Sequence, residues 1–116
     1  MPDQRTQEDQ AEEFIHKYNA TRHRLAEAKA RCKRSTHAEK RERALYKKAA
    51  KLRGFETDAA QTREWEASES YGKWLDEDIA ATLERDKLQA DVDTAQMQWD
   101  TWRTKRADIR AEIGLR

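Results

Sequence analysis

Almost nothing in this sequence can stop a helix. The single proline is Pro2 and the glycines are Gly54, Gly72 and Gly114. Ala, Glu, Lys, Arg, Gln and Leu, all strong helix formers, dominate the rest. No alternation of β-branched residues with period two appears, so no strand is expected. Charged residues make up 41% of the chain, and high charge with helical periodicity is the composition of long helices and coiled coils. A chain of 116 residues is one domain by size. The expectation is an all-α domain over 7–113 behind a frayed tail at 1–6. Its core is thin, because 18 of the apolar residues are Ala. Burial must offset roughly 1–2 kcal/mol of backbone entropy per residue, and oligomerisation is a natural way to bury more. The four Trp at helical spacing argue against disorder beyond the tail.

Local signals divide the chain into three helices, over about 7–34, 37–53 and 58–113. Thr6 with Asp9 reads as a cap for the first, and Glu8, Asp9, Glu12 and Glu13 suit its dipole. Ala11, Tyr18, Leu25 and Cys32 repeat every seven residues, with Phe14, Thr21 and Ala28 at the complementary positions. Ser35 and Thr36 interrupt, and Thr36-His37-Ala38-Glu39 matches a capping box for a second helix. There Ala38, Leu45 and Leu52 repeat every seven, with Tyr46 and Ala49 alongside. Gly54 reads as a left-handed C-terminal cap with Phe55 folding back. An antiparallel hairpin of the first two helices is expected, with continuation in line after a kink as the alternative.

Thr57 or Asp58 caps the third region, which runs to about Ile113. Leu88, Val92, Ala95, Trp99, Trp102, Arg106, Ile109 and Ile113 follow alternating spacings of four and three, a coiled-coil series with one charge in it. Trp65, Leu75, Ile79 and Leu83 lie on nearly the opposite side of a straight helix. Two readings fit this change of face. One is a break, at Gly72 or at 84–87. The other is a continuous helix whose halves pack on different partners, the second half on another subunit. That second reading makes Leu88, Val92, Trp99, Trp102, Ile109 and Ile113 an oligomer interface, with Trp99 and Trp102 as its anchors.

Charge is strongly divided along the chain. From Arg22 to Arg53 there are 13 Lys or Arg against three Glu, a net of +10, within a total of +1. Residues Glu56 to Asp100 carry 13 acids against four bases, a net of −9. On a helical hairpin the basic stretch forms a wall that can neutralise phosphates without reading sequence. The competing reading is internal pairing with the acidic stretch. Lys40, Lys47 and Lys51 share one stripe, flanked by Arg41, Arg43 and Lys48. Tyr46 and Phe55 are the nearby aromatics and read better as packing residues than as base-stacking platforms.

No catalytic constellation is visible, so no enzyme is expected. There is no Ser-His-Asp arrangement, no Gly-rich phosphate loop and no distinct carboxylate pair. His16, His23, His37 and Cys32 lack metal-ligand spacing, and Glu12 with His16 is a lone pair one turn apart. No metal and no cofactor is expected. The single Cys32 excludes an internal disulfide. Asn19-Ala20-Thr21 matches a glycosylation sequon, read as coincidence. No signal peptide or transmembrane run is seen, so the expected location is the cytoplasm of a bacterium or phage-infected host cell, with no membrane contact.

The order of features resembles the phage recombination mediators of the UvsY type. The run from Ala44 to Gly54 is similar to that family's basic segment entering its turn. Ser68-Glu69, the stretch from Asp86 to Trp102, and the terminal Asp108-Ile109-Arg110-Ala111-Glu112 are similar to its assembly region. The chain is also similar to small helical proteins of phage recombination clusters that end in Arg-Ala-Glu. The likeness spans roughly 40–113. It implies single-stranded DNA binding by Lys47, Lys48, Lys51 and Arg53 in a ring or smaller oligomer. It also implies partnership with a recombinase or single-strand-binding protein, and no covalent chemistry.

The expected function is therefore a non-enzymatic, homo-oligomeric single-stranded DNA-binding accessory factor of phage-type recombination. Its contacts would come from Lys40, Arg41, Lys47, Lys48, Lys51 and Arg53. Two alternatives stand beside it. One is a protein-binding adaptor or anti-host inhibitor using the acidic helix, and the other is a purely structural coiled coil.

Overall fold

The computed structural model describes residues 4–115, which form three helices and no strand: α1 (Gln4–Leu52), α2 (Asp58–Glu66) and α3 (Glu69–Leu115). The all-α expectation holds, but the boundaries differ from those read locally. Residues 1–3 of the expected tail lie outside the described residues. Residues 4–6 are already helical, so Thr6 is not a cap.

The expected hairpin at Ser35-Thr36 is absent, because α1 runs through it without a break. Each group of the apparent capping box has another use. Thr36 Oγ1 donates to the carbonyl of Cys32 one turn back, at 3.1 Å, the bond a hydroxyl makes inside a helix. Glu39 does not turn back to the helix backbone. Its Oε1 accepts a 3.2 Å bond from Trp65 Nε1 on α2 and lies 3.5 Å from Arg43 Nε. Ser35 is held by α3: its Oγ donates to Asp78 Oδ1 at 2.9 Å, and its carbonyl accepts from Trp74 Nε1 at 2.9 Å.

The end of α1 follows the local signal. Gly54 has φ +103°, Phe55 N–H bonds to Ala50 O at 3.1 Å and Gly54 N–H to Lys51 O at 3.1 Å. This is the paired C-terminal closure that a left-handed residue permits. Thr57 is the cap of α2, its Oγ1 accepting from Ala60 N–H at 3.1 Å. The break in the C-terminal region falls at neither Gly72 nor 84–87. It lies at Ala67-Ser68, where Ser68 Oγ accepts from Tyr71 N–H at 3.1 Å and so caps α3.

The chain divides into two compact units. One joins α1 up to Ala26 with α3 from Asp86 onward, and the other comprises Glu27–Arg85. In the first, Leu25, Leu88 and Val92 are buried, Phe14 stacks on Trp99, and Tyr18 Oη donates to Gln96 Oε1 at 2.9 Å. The two helix segments are therefore antiparallel. In the second, Trp65 is 1% exposed. It packs between Tyr46 and Tyr71 at ring distances of 5.0 and 5.5 Å. Ala28, Ala50, Ala81 and Gln61 are buried with it. Gln61 Nε2 donates to Phe55 O at 2.9 Å, tying α2 to the preceding turn.

The buried positions correct the expected change of face. The alternating series of α3 does not start at Leu88. It extends back through Arg85, Ala81, Asp78 and Trp74 to Tyr71, all buried or half-buried. Ile79 and Leu83, which suggested the opposite face, are 49% and 65% exposed. Likewise the heptad of Ala11 to Cys32 continues through Glu39 to Tyr46, whereas Leu45 and Leu52 are 67% and 84% exposed. Among the described residues no helix is long and apolar enough to cross a membrane.

Thr36 and Thr57 distinguish the two architectures. Thr57→Ala should cost about 1 kcal/mol, as loss of a cap does. Thr36→Ala should cost nothing or stabilise slightly, since Ala is the better interior residue. Urea denaturation of both variants measures the difference, and a cost of about 1 kcal/mol at Thr36 would mean that a helix begins there.

Candidate nucleic-acid interface

At 100° per residue, Lys29, Lys33, Lys40, Lys47 and Lys51 lie within about 40° of one another on α1. All five belong to the Glu27–Arg85 unit. Because α1 is continuous, Lys29 and Lys33 extend the Lys40–Lys47–Lys51 stripe instead of standing on a separate helix. The row covers 22 intervals, or roughly 33 Å. No acid of α1 lies on it, since Glu27, Glu39 and Glu42 fall on other sides. Arg34, Arg41 and Lys48 form a second row at intervals of seven on the adjoining side.

The predicted site residues separate into paired and unpaired groups. Lys47 Nζ is bonded to Asp58 Oδ1, and Arg53 reaches Glu64 at 3.5 Å while lying 5.8 Å over the Phe55 ring. Lys40, Arg41, Lys48 and Lys51 are exposed and have no ion pair among the described residues; the same is true of Lys29, Lys33 and Arg34. Acid pairing thus takes up only part of the basic stretch. Arg31 bonds Glu84 at 2.9 Å, and Arg43 has its contact with Glu39.

At one end of the row, Lys29, Lys33 and Arg85 surround a shallow cleft of about 450 Å³ together with Cys32 and Thr36. Lys29 and Lys33 give this depression an exposed cationic rim. Tyr46 is a packing residue, as expected. Its Oη donates to Ser70 Oγ at 2.9 Å and its ring lies against Trp65.

The residues expected to form an oligomer interface have different surroundings. Leu88 and Val92 are buried inside their own unit. Trp99 and Trp102 are half-buried and stack on each other at 5.0 Å. Ile109 and Ile113 are 55% and 67% exposed. The N-terminal segment of α1 therefore covers the start of this seam. Local spacing gives no sign of that partner, because Phe14 and Trp99 are far apart in sequence. Among the described residues, no group of three or more His, Cys, Asp or Glu side chains is placed to hold a metal ion.

No family model, curated protein or solved structure matches the chain.

Asp58 is the acid that reaches the lysine row. Its pair with Lys47 is largely exposed on the acid side, at 82%, and such pairs contribute little. Asp58→Asn should shift stability by less than about 1 kcal/mol in urea denaturation, while freeing Lys47 and strengthening retention on an immobilised polyanion. Weaker retention would show that Asp58 positions Lys47 instead of neutralising it.

Proposed function

We propose that this protein is a non-enzymatic nucleic-acid-binding factor that holds a strand along the lysine row of α1. The observation that carries this reading is the row itself. Lys29, Lys33, Lys40 and Lys51 are exposed, unpaired among the described residues and aligned on one continuous helix, with no acid of α1 between them. A row of about 33 Å is matched to a phosphate backbone, and the like charges one turn apart within it, Lys29 with Lys33 and Lys47 with Lys51, do not favour the helix. Contacts of this kind bind phosphates and carry no sequence information. The function that fits is the accessory one implied by the likeness to UvsY-type mediators, in which a single strand is held for a recombinase during phage-type recombination.

Binding of a fluorescently labelled single strand, followed by anisotropy, should weaken steeply with salt. Four released counterions predict a slope of about −3 in log affinity against log salt. Lys33→Glu, Lys40→Glu and Lys51→Glu together should abolish binding at low salt and leave helicity unchanged by circular dichroism. Wild-type protein that fails to bind at low salt, or a triple variant that still binds, would refute the proposal.

A further inference from the structure

The first unit contains a ladder of aromatic rings that the charge pattern gave no reason to expect. Tyr18 and Phe14 lie 6.4 Å apart at 11°, Phe14 and Trp99 5.1 Å apart at 14°, and Trp99 and Trp102 5.0 Å apart at 16°. Four nearly parallel rings thus follow one another across the two helix segments. A guanidinium closes each end: Arg22 stands 5.7 Å over Tyr18, and Arg106 stands 4.9 Å over Trp102. All four rings are half-buried, so the ladder is open to solvent. Beside Trp99 and Trp102 lies a cleft of about 330 Å³, lined also by Arg103, Arg106, Ala107 and Arg110.

Stacking of this kind packs α1 against α3, as the tilted and edge-on rings of Tyr46, Trp65 and Tyr71 pack the other unit. What packing does not account for is the placing of three guanidinium groups beside one indole. Arg103 and Arg110 are exposed and unpaired among the described residues. A planar ring beside fixed positive charge is complementary to a nucleobase with its neighbouring phosphate: the ring takes the base, and the guanidinium takes the anion.

We infer that the Trp99–Trp102 cleft is a base-stacking site for single-stranded nucleic acid: the Arg106 guanidinium gives up the outer face of Trp102 to a base and, with Arg103 and Arg110, holds the adjoining phosphate. The inference rests on the reading of the chain as a nucleic-acid binder. It adds what the lysine row lacks, a reason to prefer an unpaired strand. In a duplex the bases are stacked on one another and cannot reach an indole.

The test compares a labelled oligothymidine with an abasic strand of equal length, which carries the same phosphates and no bases. The wild-type protein should bind oligothymidine at least about five-fold more tightly than the abasic strand, the lower end of what one base–aromatic stack contributes. Trp102→Ala should bring the ratio close to one. Arg106→Gln, which keeps the ring and removes one phosphate contact, should weaken binding of both strands. Circular dichroism and urea denaturation establish that each variant is folded. Equal wild-type affinity for the two strands overturns this inference alone, and loss of binding to both overturns the proposed function with it. A five-fold ratio that survives Trp102→Ala places the bases elsewhere and refutes the assignment. So does a Trp102→Ala change that lowers the sedimenting mass and leaves the ratio intact, because the rings would then join copies of the chain.

Discussion

The bond from Trp65 Nε1 to Glu39 Oε1 is the contact on which the Glu27–Arg85 unit depends. A helix of nine residues such as α2 has little stability of its own. It is held because its indole fills the space between Tyr46 of α1 and Tyr71 of α3. Burying that ring at 1% exposure would leave an indole N–H without water, which costs about 1–3 kcal/mol unless an acceptor is supplied. Glu39 supplies it from the middle of α1. Its carboxylate is thereby committed to tertiary structure and cannot cap a helix at Thr36, and α1 continues. The continuity of α1 in turn aligns Lys29 and Lys33 with Lys40, Lys47 and Lys51.

The same logic explains which parts of the fold could be read locally. Gly54, Phe55 and Thr57 act through bonds within a few residues of themselves, so their chemistry was visible in order along the chain. Thr36-His37-Ala38-Glu39 has the same local form but a different fate, because Trp65 lies 26 positions away and Trp74 reaches Ser35 over 39. Polar seam residues misled the periodicity as well. Ser35, Glu39, Asp78 and Arg85 occupy positions facing the partner helix, while Leu45, Leu52, Ile79 and Leu83 do not. The apolar repeats Ala11 to Cys32 and Leu88 onward therefore lie on the packed stripe, and only those through Leu45 and Leu52 and through Ile79 and Leu83 lie off it. Ser68 was missed as a stop because nothing in Ala67-Ser68 forbids a helix; its hydroxyl simply bonds Tyr71 N–H and Trp65 O.

For the candidate interface, the Lys40–Lys47–Lys51 stripe was legible because it follows from helical geometry alone. Its extension to Lys29 and Lys33 was not, because it required α1 to be unbroken. The aromatic ladder could be half read. Trp99 and Trp102 were conspicuous, but Phe14 and Tyr18 approach them only after antiparallel pairing. What resembled a surface for a second subunit is partly satisfied by the chain's own first helix, at Leu88, Val92 and Trp99. The basic and acidic stretches, near-equal in charge, do not simply cancel. Lys47 with Asp58, Arg53 with Glu64 and Arg31 with Glu84 are paired, and the rest of the lysine row is left to solvent.

If the lysine row is one binding face, its two ends meet the same strand. Heteronuclear NMR of the labelled protein, titrated with an oligothymidine at low salt, follows both ends at once. Signals of Lys29 and Lys33 should move together with those of Lys40 and Lys51, and fall back together as salt is raised. Perturbation confined to 40–53, with Lys29 and Lys33 unmoved, would overturn the proposed face.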